Sequence, residues 1–177
     1  MSNLVFFDDV TGEGYGPNEA PRIAYLTHLP EIGDRVSMGS DRLWPIIAID
    51  RYSNQSHLNA DLFIAYANRT GPLPRSNWFW LSACAHRPRN LELYLGNEQL
   101  LSTGVTLNDE RPEVSTLLPH YNPQARSVSS QPWGIETVAT FLPAAEIAQP
   151  CYSQVYLLRC VYVSEAASPE LTALQSA

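Results

Sequence analysis

Three observations place this chain in the mainly β class, as one or two small barrel-like or sandwich units with little helix. Fourteen prolines run from Pro17 to Pro169 and cut the apolar stretches to strand-like lengths. Tyrosine, tryptophan, valine and isoleucine concentrate within those stretches, as a pleated, half-buried surface favours. Helix signals are few.

In chain order the predicted strands are Leu4–Phe7, Arg22–His28, Arg35–Met38, Leu43–Tyr52, Asp61–Ala67, Trp78–His86, Leu91–Leu95, Gln99–Thr103, Ile135–Leu142 and Ser153–Val163. Gly96-Asn97 marks a tight hairpin turn between two of them. In the last strand Val155, Leu157, Val161 and Val163 alternate with Tyr156, Leu158, Cys160 and Tyr162. Both faces are therefore apolar, the mark of a strand covered on both sides. Two short helical pieces are expected. One spans Pro143 to Gln149, with proline at its first position, and the other Ser168 to Leu174. Two loops stand out, the glycine-rich 11–21 and the long, polar 108–131. The domain reading is a β unit over 1–107, a linker-like loop over 108–131, and a β segment over 132–177. That last segment completes the same domain or makes a second small unit.

A self-similarity crosses the long loop. Trp44-Pro-Ile46-Ile-Ala-Ile49 resembles Trp133-Gly-Ile135-Glu-Thr-Val138, and each is followed by a polar turn and an apolar strand. Ahead of the first, Leu29-Pro-Glu-Ile-Gly-Asp-Arg-Val36 resembles the turn-then-strand opening of small SH3-like barrels, and no such opening is read ahead of the second. If the halves are related, both tryptophans should be buried at equivalent positions.

Composition excludes several chemistries. All eleven basic residues are arginines. Without lysine there is no Schiff base for pyridoxal phosphate or aldolase chemistry, and no Walker-type or kinase phosphate lysine. The hydrophobic fraction is 45% and the charged fraction 16%, so the chain has material for a core. The net charge of −7 disfavours nucleic acid and anionic lipid. Three cysteines, Cys84, Cys151 and Cys160, are too sparse for a secreted disulfide scaffold. The first residues carry no basic start and reach Asp8-Asp9 soon after a short apolar run. No apolar run is long enough to span a bilayer, so the expected location is cytoplasmic, with no membrane contact.

Candidate chemistry is thin. Cys84 and His86 share one face of a predicted strand, half of a zinc site or a thiol beside a base. Cys151, Cys160, His28, His57 and His120 lack the paired spacing that would complete it, and a buried cysteine acting as a small hydrophobe explains the pair more simply. Gly12-Glu-Gly-Tyr-Gly16 carries an acid and precedes a proline, the wrong context for phosphate. No metal, cofactor or catalytic residue is assigned.

One uneven stretch remains. From Leu62 to Leu91 there is no acid, while Arg69, Arg75, Arg87 and Arg89 bracket Trp78, Phe79 and Trp80. Arginine interleaved with aromatics suits protein-interface anchors, and also phosphate groups and stacked bases. On a strand Trp78 and Trp80 share a face, an anchor if outward and core if inward. The expected function is a non-catalytic binding or accessory protein that contacts a partner protein through Arg69, Arg75, Trp78, Trp80, Arg87 and Arg89. Two alternatives stay open. One is an enzyme whose site assembles from distant residues such as Cys84, His86 and Asp50, and the other is single-stranded nucleic-acid binding through residues 69–89.

Overall fold

The computed structural model describes residues 2–9, 22–37, 43–56, 60–67, 89–96, 99–106, 109–118, 121–122, 127–128 and 133–163. These are mainly β, with no helix. The strands are β1 (Asn3–Asp9), β2 (Arg22–Leu26), β3 (Arg35–Ser37), β4 (Leu43–Asn54), β5 (Leu62–Ala67), β6 (Arg89–Gly96), β7 (Gln99–Thr106), β8 (Leu117–Leu118), β9 (Tyr121–Asn122), β10 (Ser127–Val128), β11 (Trp133–Pro143) and β12 (Tyr152–Tyr162). The predicted strands fall on these with ends shifted by a few residues, except Trp78–His86, which lies outside the described residues. So does the expected helix from Ser168. The other expected helix is a single turn, in which Ile147 N–H donates to Ala144 C=O at 3.0 Å. Pro143 is already committed to β11 as the partner of Tyr52, so it ends a strand instead of opening a helix.

The main sheet runs β2-β1-β5-β4-β11-β12-β6-β7, with β3 added beside β4 and β8 beside β11. It is not closed into a barrel. The linker-like stretch 108–131 carries β8 and the small β9·β10 pair, so it contributes to the sheet. As expected, β6 and β7 form a hairpin, Gly96 pairing with Gln99.

This order reads the same from both ends. β1 pairs antiparallel with β2 and parallel with β5, and β5 pairs antiparallel with β4. Likewise β6 pairs antiparallel with β7 and parallel with β12, and β12 pairs antiparallel with β11. The registers coincide residue for residue. Leu4 lies opposite Leu62 and Tyr25, as Leu91 lies opposite Val155 and Val105. Val36 faces Trp44 as Leu118 faces Trp133. Even the irregularity recurs, between Ile46 and Ala48 in β4 and between Ile135 and Thr137 in β11. The chain is therefore an internal duplication: β1–β5 form one repeat, and β6, β7, β8, β11 and β12 the other. The repeats divide between Ala67 and Arg89.

The opening turn, read from sequence in the first repeat alone, is present in both. In the first, Gly33 N–H donates to Ile46 C=O at 2.8 Å, Ile46 N–H to Asp34 C=O at 2.8 Å, and Asp34 N–H to Glu31 C=O at 3.0 Å. In the second, Ser115 N–H donates to Ile135 C=O at 2.8 Å, Ile135 N–H to Thr116 C=O at 3.0 Å, and Thr116 N–H to Glu113 C=O at 3.4 Å. Gly33 has φ +96° and Ser115 φ +71°. Glycine takes that conformation without cost, whereas serine does not, so the same turn is kept in the second repeat against its backbone preference.

The repeats meet where β4 and β11 pair antiparallel, Phe141 with Asn54, Leu142 with Ser53 and Pro143 with Tyr52. Since Tyr52 corresponds to Phe141 and Ser53 to Leu142, this contact is self-complementary, as a two-fold axis requires. The flanking bonds obey the same symmetry. Gln55 N–H donates to Thr140 C=O at 2.8 Å, and Ala144 N–H to Arg51 C=O at 3.0 Å.

One buried cluster takes residues from both repeats, Leu4, Phe6, Tyr52, Leu62 and Ile64 with Leu91, Leu93, Phe141, Val155 and Leu157. The two halves of the sheet thus share an interior. The outer face of each repeat has its own smaller core, Val36, Trp44 and Ile46 in one and Trp133, Ile135 and Leu158 in the other, with Leu118 packed against the second. β5 and β12 are consequently covered on both faces, which explains their apolar alternation. Trp133 lies over Gly96, where an added Cβ would come within 2.6 Å of the indole, and against the ring of Tyr162 at 3.6 Å between centroids.

Trp44 and Trp133 are 8% and 5% exposed, each plugging the outer core of its repeat. Trp44→Ala and Trp133→Ala should each cost about 3–5 kcal/mol, from lost packing and a residual cavity. Urea unfolding measures this, and a loss below about 1 kcal/mol at either site would contradict their equivalence.

Candidate functional site

Of the residues singled out from sequence, Arg69, Arg75, Trp78, Trp80 and Arg87 lie outside the described residues, as do Cys84 and His86. Arg89 is exposed at the start of β6, where it pairs with Tyr152. Cys151 and Cys160 are buried. Burial pushes the Cys160 thiol up to about 11, which keeps it protonated and unreactive at neutral pH. Among the described residues no group of three or more His, Cys, Asp or Glu could hold a metal ion.

Asp50, named in the enzyme alternative, belongs to a polar cluster that sequence reasoning did not assemble. Asp50 and Tyr52 are two apart on β4 and so share a face. Tyr66, diagonally across on β5, donates its hydroxyl to Asp50 Oδ2 at 3.1 Å. Tyr52 Oη lies 3.3 Å from Tyr152 C=O, to which it donates, and 3.2 Å from Tyr152 N–H, from which it accepts. Tyr152 in turn donates its own hydroxyl to Asp8 Oδ2 at 2.6 Å. Elements far apart in the chain, β1, β4, β5 and β12, are thereby tied together at one end of the shared core.

Desolvation raises the Asp50 carboxyl above its ordinary value, against the opposing bond from Tyr66. Desolvation also drives the Tyr66 phenol well above 10 and raises that of Tyr52, so both remain neutral donors. The phenol of Tyr66 thus stays a neutral donor to the partly buried Asp50 carboxyl.

Comparing the repeats shows that the fold does not require this cluster. The positions of Asp8, Asp50, Tyr52 and Tyr66 are filled in the second repeat by Leu95, Ala139, Phe141 and Arg159. At that other end the interior opens as a small cleft of about 250 Å³, lined by Ile23, Ala24, Tyr25, Leu95 and Arg159. A wider, shallow groove of about 560 Å³ runs beside the second opening turn, with Glu92, Glu110, Arg111, Glu113 and Tyr94 among its walls. Arg111 anchors that turn by donating to Val138 C=O at 2.7 Å.

Compared with protein families, curated proteins and solved structures, the chain matches none.

Because the folded state raises the Asp50 pKa above 3.8, it binds that proton more tightly than the unfolded chain does. The contribution is most favourable at low pH and is lost as pH rises from 3.8 through the folded value. Asp50→Asn, which keeps an acceptor for Tyr66, should remove this slope and leave stability at pH 7 equal or higher. Glu146, held low by its own backbone amide and by Arg51, slopes the other way in both proteins and cancels from the difference. Urea titrations between pH 3 and 7 check this, and parallel profiles would contradict it.

Proposed function

We propose that the chain is a non-catalytic binding or accessory protein that contacts a partner protein. The observation that best supports this is a matched set of exposed apolar side chains. Tyr25 and Ile32 stand out from the first repeat at 61% and 65% exposure, and Val105 and Val114 occupy the same positions in the second at 52% and 55%. A duplicated fold needs matching residues in its core. Exposed apolar residues at equivalent positions of both repeats support a contact surface there.

The arginine–aromatic segment with Arg69, Arg75, Trp78, Trp80, Arg87 and Arg89 is proposed as a second part of the contact, for an anionic region of the partner. The net charge of −7 weighs against nucleic acid as that partner. No helix among the described residues is long and apolar enough to cross a membrane. A cytoplasmic setting is proposed on the sparse, odd set of three cysteines.

Tagged chain recovered from its native host at low salt should bring down one stoichiometric polypeptide. Raising the salt, or the double change R87E/R89E, should weaken the association on the order of tenfold without changing the melting temperature. Unchanged recovery with R87E/R89E would remove the arginine segment from the contact, and recovery of the chain alone would contradict the proposed function.

A further inference from the structure

The opening turns place two side chains in solvent in the same way. Ile32 and Val114 precede the positive-φ residues Gly33 and Ser115, and Glu31 and Glu113 precede them in turn. Pro30 and Pro112 come next before. Proline, glutamate and an aliphatic residue are thus retained at three successive positions of both repeats, while exposed positions on the neighbouring strands have diverged. Arg35 is answered by Leu117 and Arg51 by Thr140. The turn is held mainly by backbone hydrogen bonds, with Glu31 N–H also donating to Asp34 Oδ2 at 2.8 Å in the first repeat, and these bonds would accept other side chains at positions 32 and 114. Keeping the turn in the second repeat requires Ser115 in a left-handed conformation, a cost of roughly 1–3 kcal/mol that such sites bear when the shape is used.

We propose that Ile32 and Val114 are paired docking knobs, and that their partner is a two-fold symmetric protein presenting two apolar pockets, each rimmed by basic side chains. This rests on the partner-binding function proposed above and specifies its surface. The two-fold follows from the joint, which relates one turn to the other through Ser53 and Leu142. The basic rim follows from charge. Glu31 and Asp34 border Ile32, and Glu110 and Glu113 border Val114, all of them exposed, so each turn is net acidic even with Arg35 beside the first and Arg111 in the second. Arg111, the basic neighbour in the second repeat, has its guanidinium engaged with Val138 C=O. The spacing is bounded too. Following β4 from Ile46 to the joint and β11 from the joint to Ile135, the turns stand at most about 46 Å apart along the strands. Because both turns are fastened to one sheet, binding at the first presents the second at high effective concentration.

The test places a photo-crosslinking benzophenone amino acid at position 32, at position 114, or at the exposed control Glu136, in the full chain in its native host. The expected result is capture of the same polypeptide from 32 and 114 but not from 136. That polypeptide, once purified, should be dimeric. Titrated against it, I32D and V114D should each bind at least about 100-fold more weakly than the unaltered chain, with unchanged circular dichroism and melting temperature. Different polypeptides at the two turns, equal capture at 136, a monomeric partner, capture of a second copy of this chain, or single variants that bind as tightly as the unaltered chain would each overturn the proposal. A partner recovered by the tagged chain but captured at neither turn would overturn it while leaving the broader function standing. No partner in either experiment would remove both.

Discussion

Where β4 and β11 meet, three residue pairs set the register between the repeats, Phe141 with Asn54, Leu142 with Ser53 and Pro143 with Tyr52. The backbone bonds made there contribute about 0.5–1.5 kcal/mol each, which could not hold two folded units together on their own. Their importance is geometric. Set in self-complementary register, they turn the inner face of each repeat toward the other and bring Tyr52 and Phe141, both fully buried, into one core. Large apolar side chains buried in that way are worth about 1.5–3 kcal/mol each, and the shared cluster holds many of them. The joint orients and the core stabilises, so neither repeat's inner face is satisfied without the other.

This constraint also explains where the repeats are alike and where they differ. Identical or similar residues line the shared core and the two outer plugs, because those positions are fixed by packing on both sides of each central strand. Away from the axis the constraint relaxes. The first repeat fills its end with Asp50, Tyr66 and Asp8, where Tyr66 donates to Asp50 and Tyr152 donates to Asp8. The second has Leu95 and Ala139, both buried, and an exposed Arg159 at the corresponding positions. A duplicated chain can specialise its ends only once the centre is secure. The polar cluster on one side and the open cleft on the other are both consequences of that freedom.

Much of this was legible in the residues. Strand positions followed from β-rich runs cut by proline, and the doubly covered β12 from apolar residues on both of its faces. The tryptophan match located the duplication, since a large ring filling a small core leaves a recognisable spacing to Ile46 and Ile135. The second opening turn was hidden for two physical reasons. Ser115 replaces the glycine that marks the first, and the residues between β8 and β11 move the turn far ahead of its tryptophan and into a polar, proline-bearing stretch that reads as a linker. Pairing of β6 with β12 could not be read either, because parallel partners need no nearby turn and are set by the core alone. The Tyr–Asp cluster was similarly obscure. Its members come from four strands, and only the spacing of Asp50 and Tyr52 on one strand face gave a local sign of it.

The central claim is that two repeats fold as one body around a common interior. Differential scanning calorimetry of the intact chain tests it most directly, by comparing the measured unfolding enthalpy with the van't Hoff enthalpy of the same transition. A shared core predicts a single transition in which the two enthalpies agree. Two resolved transitions, or a calorimetric enthalpy near twice the van't Hoff value, would mean that the repeats unfold independently and would contradict the account.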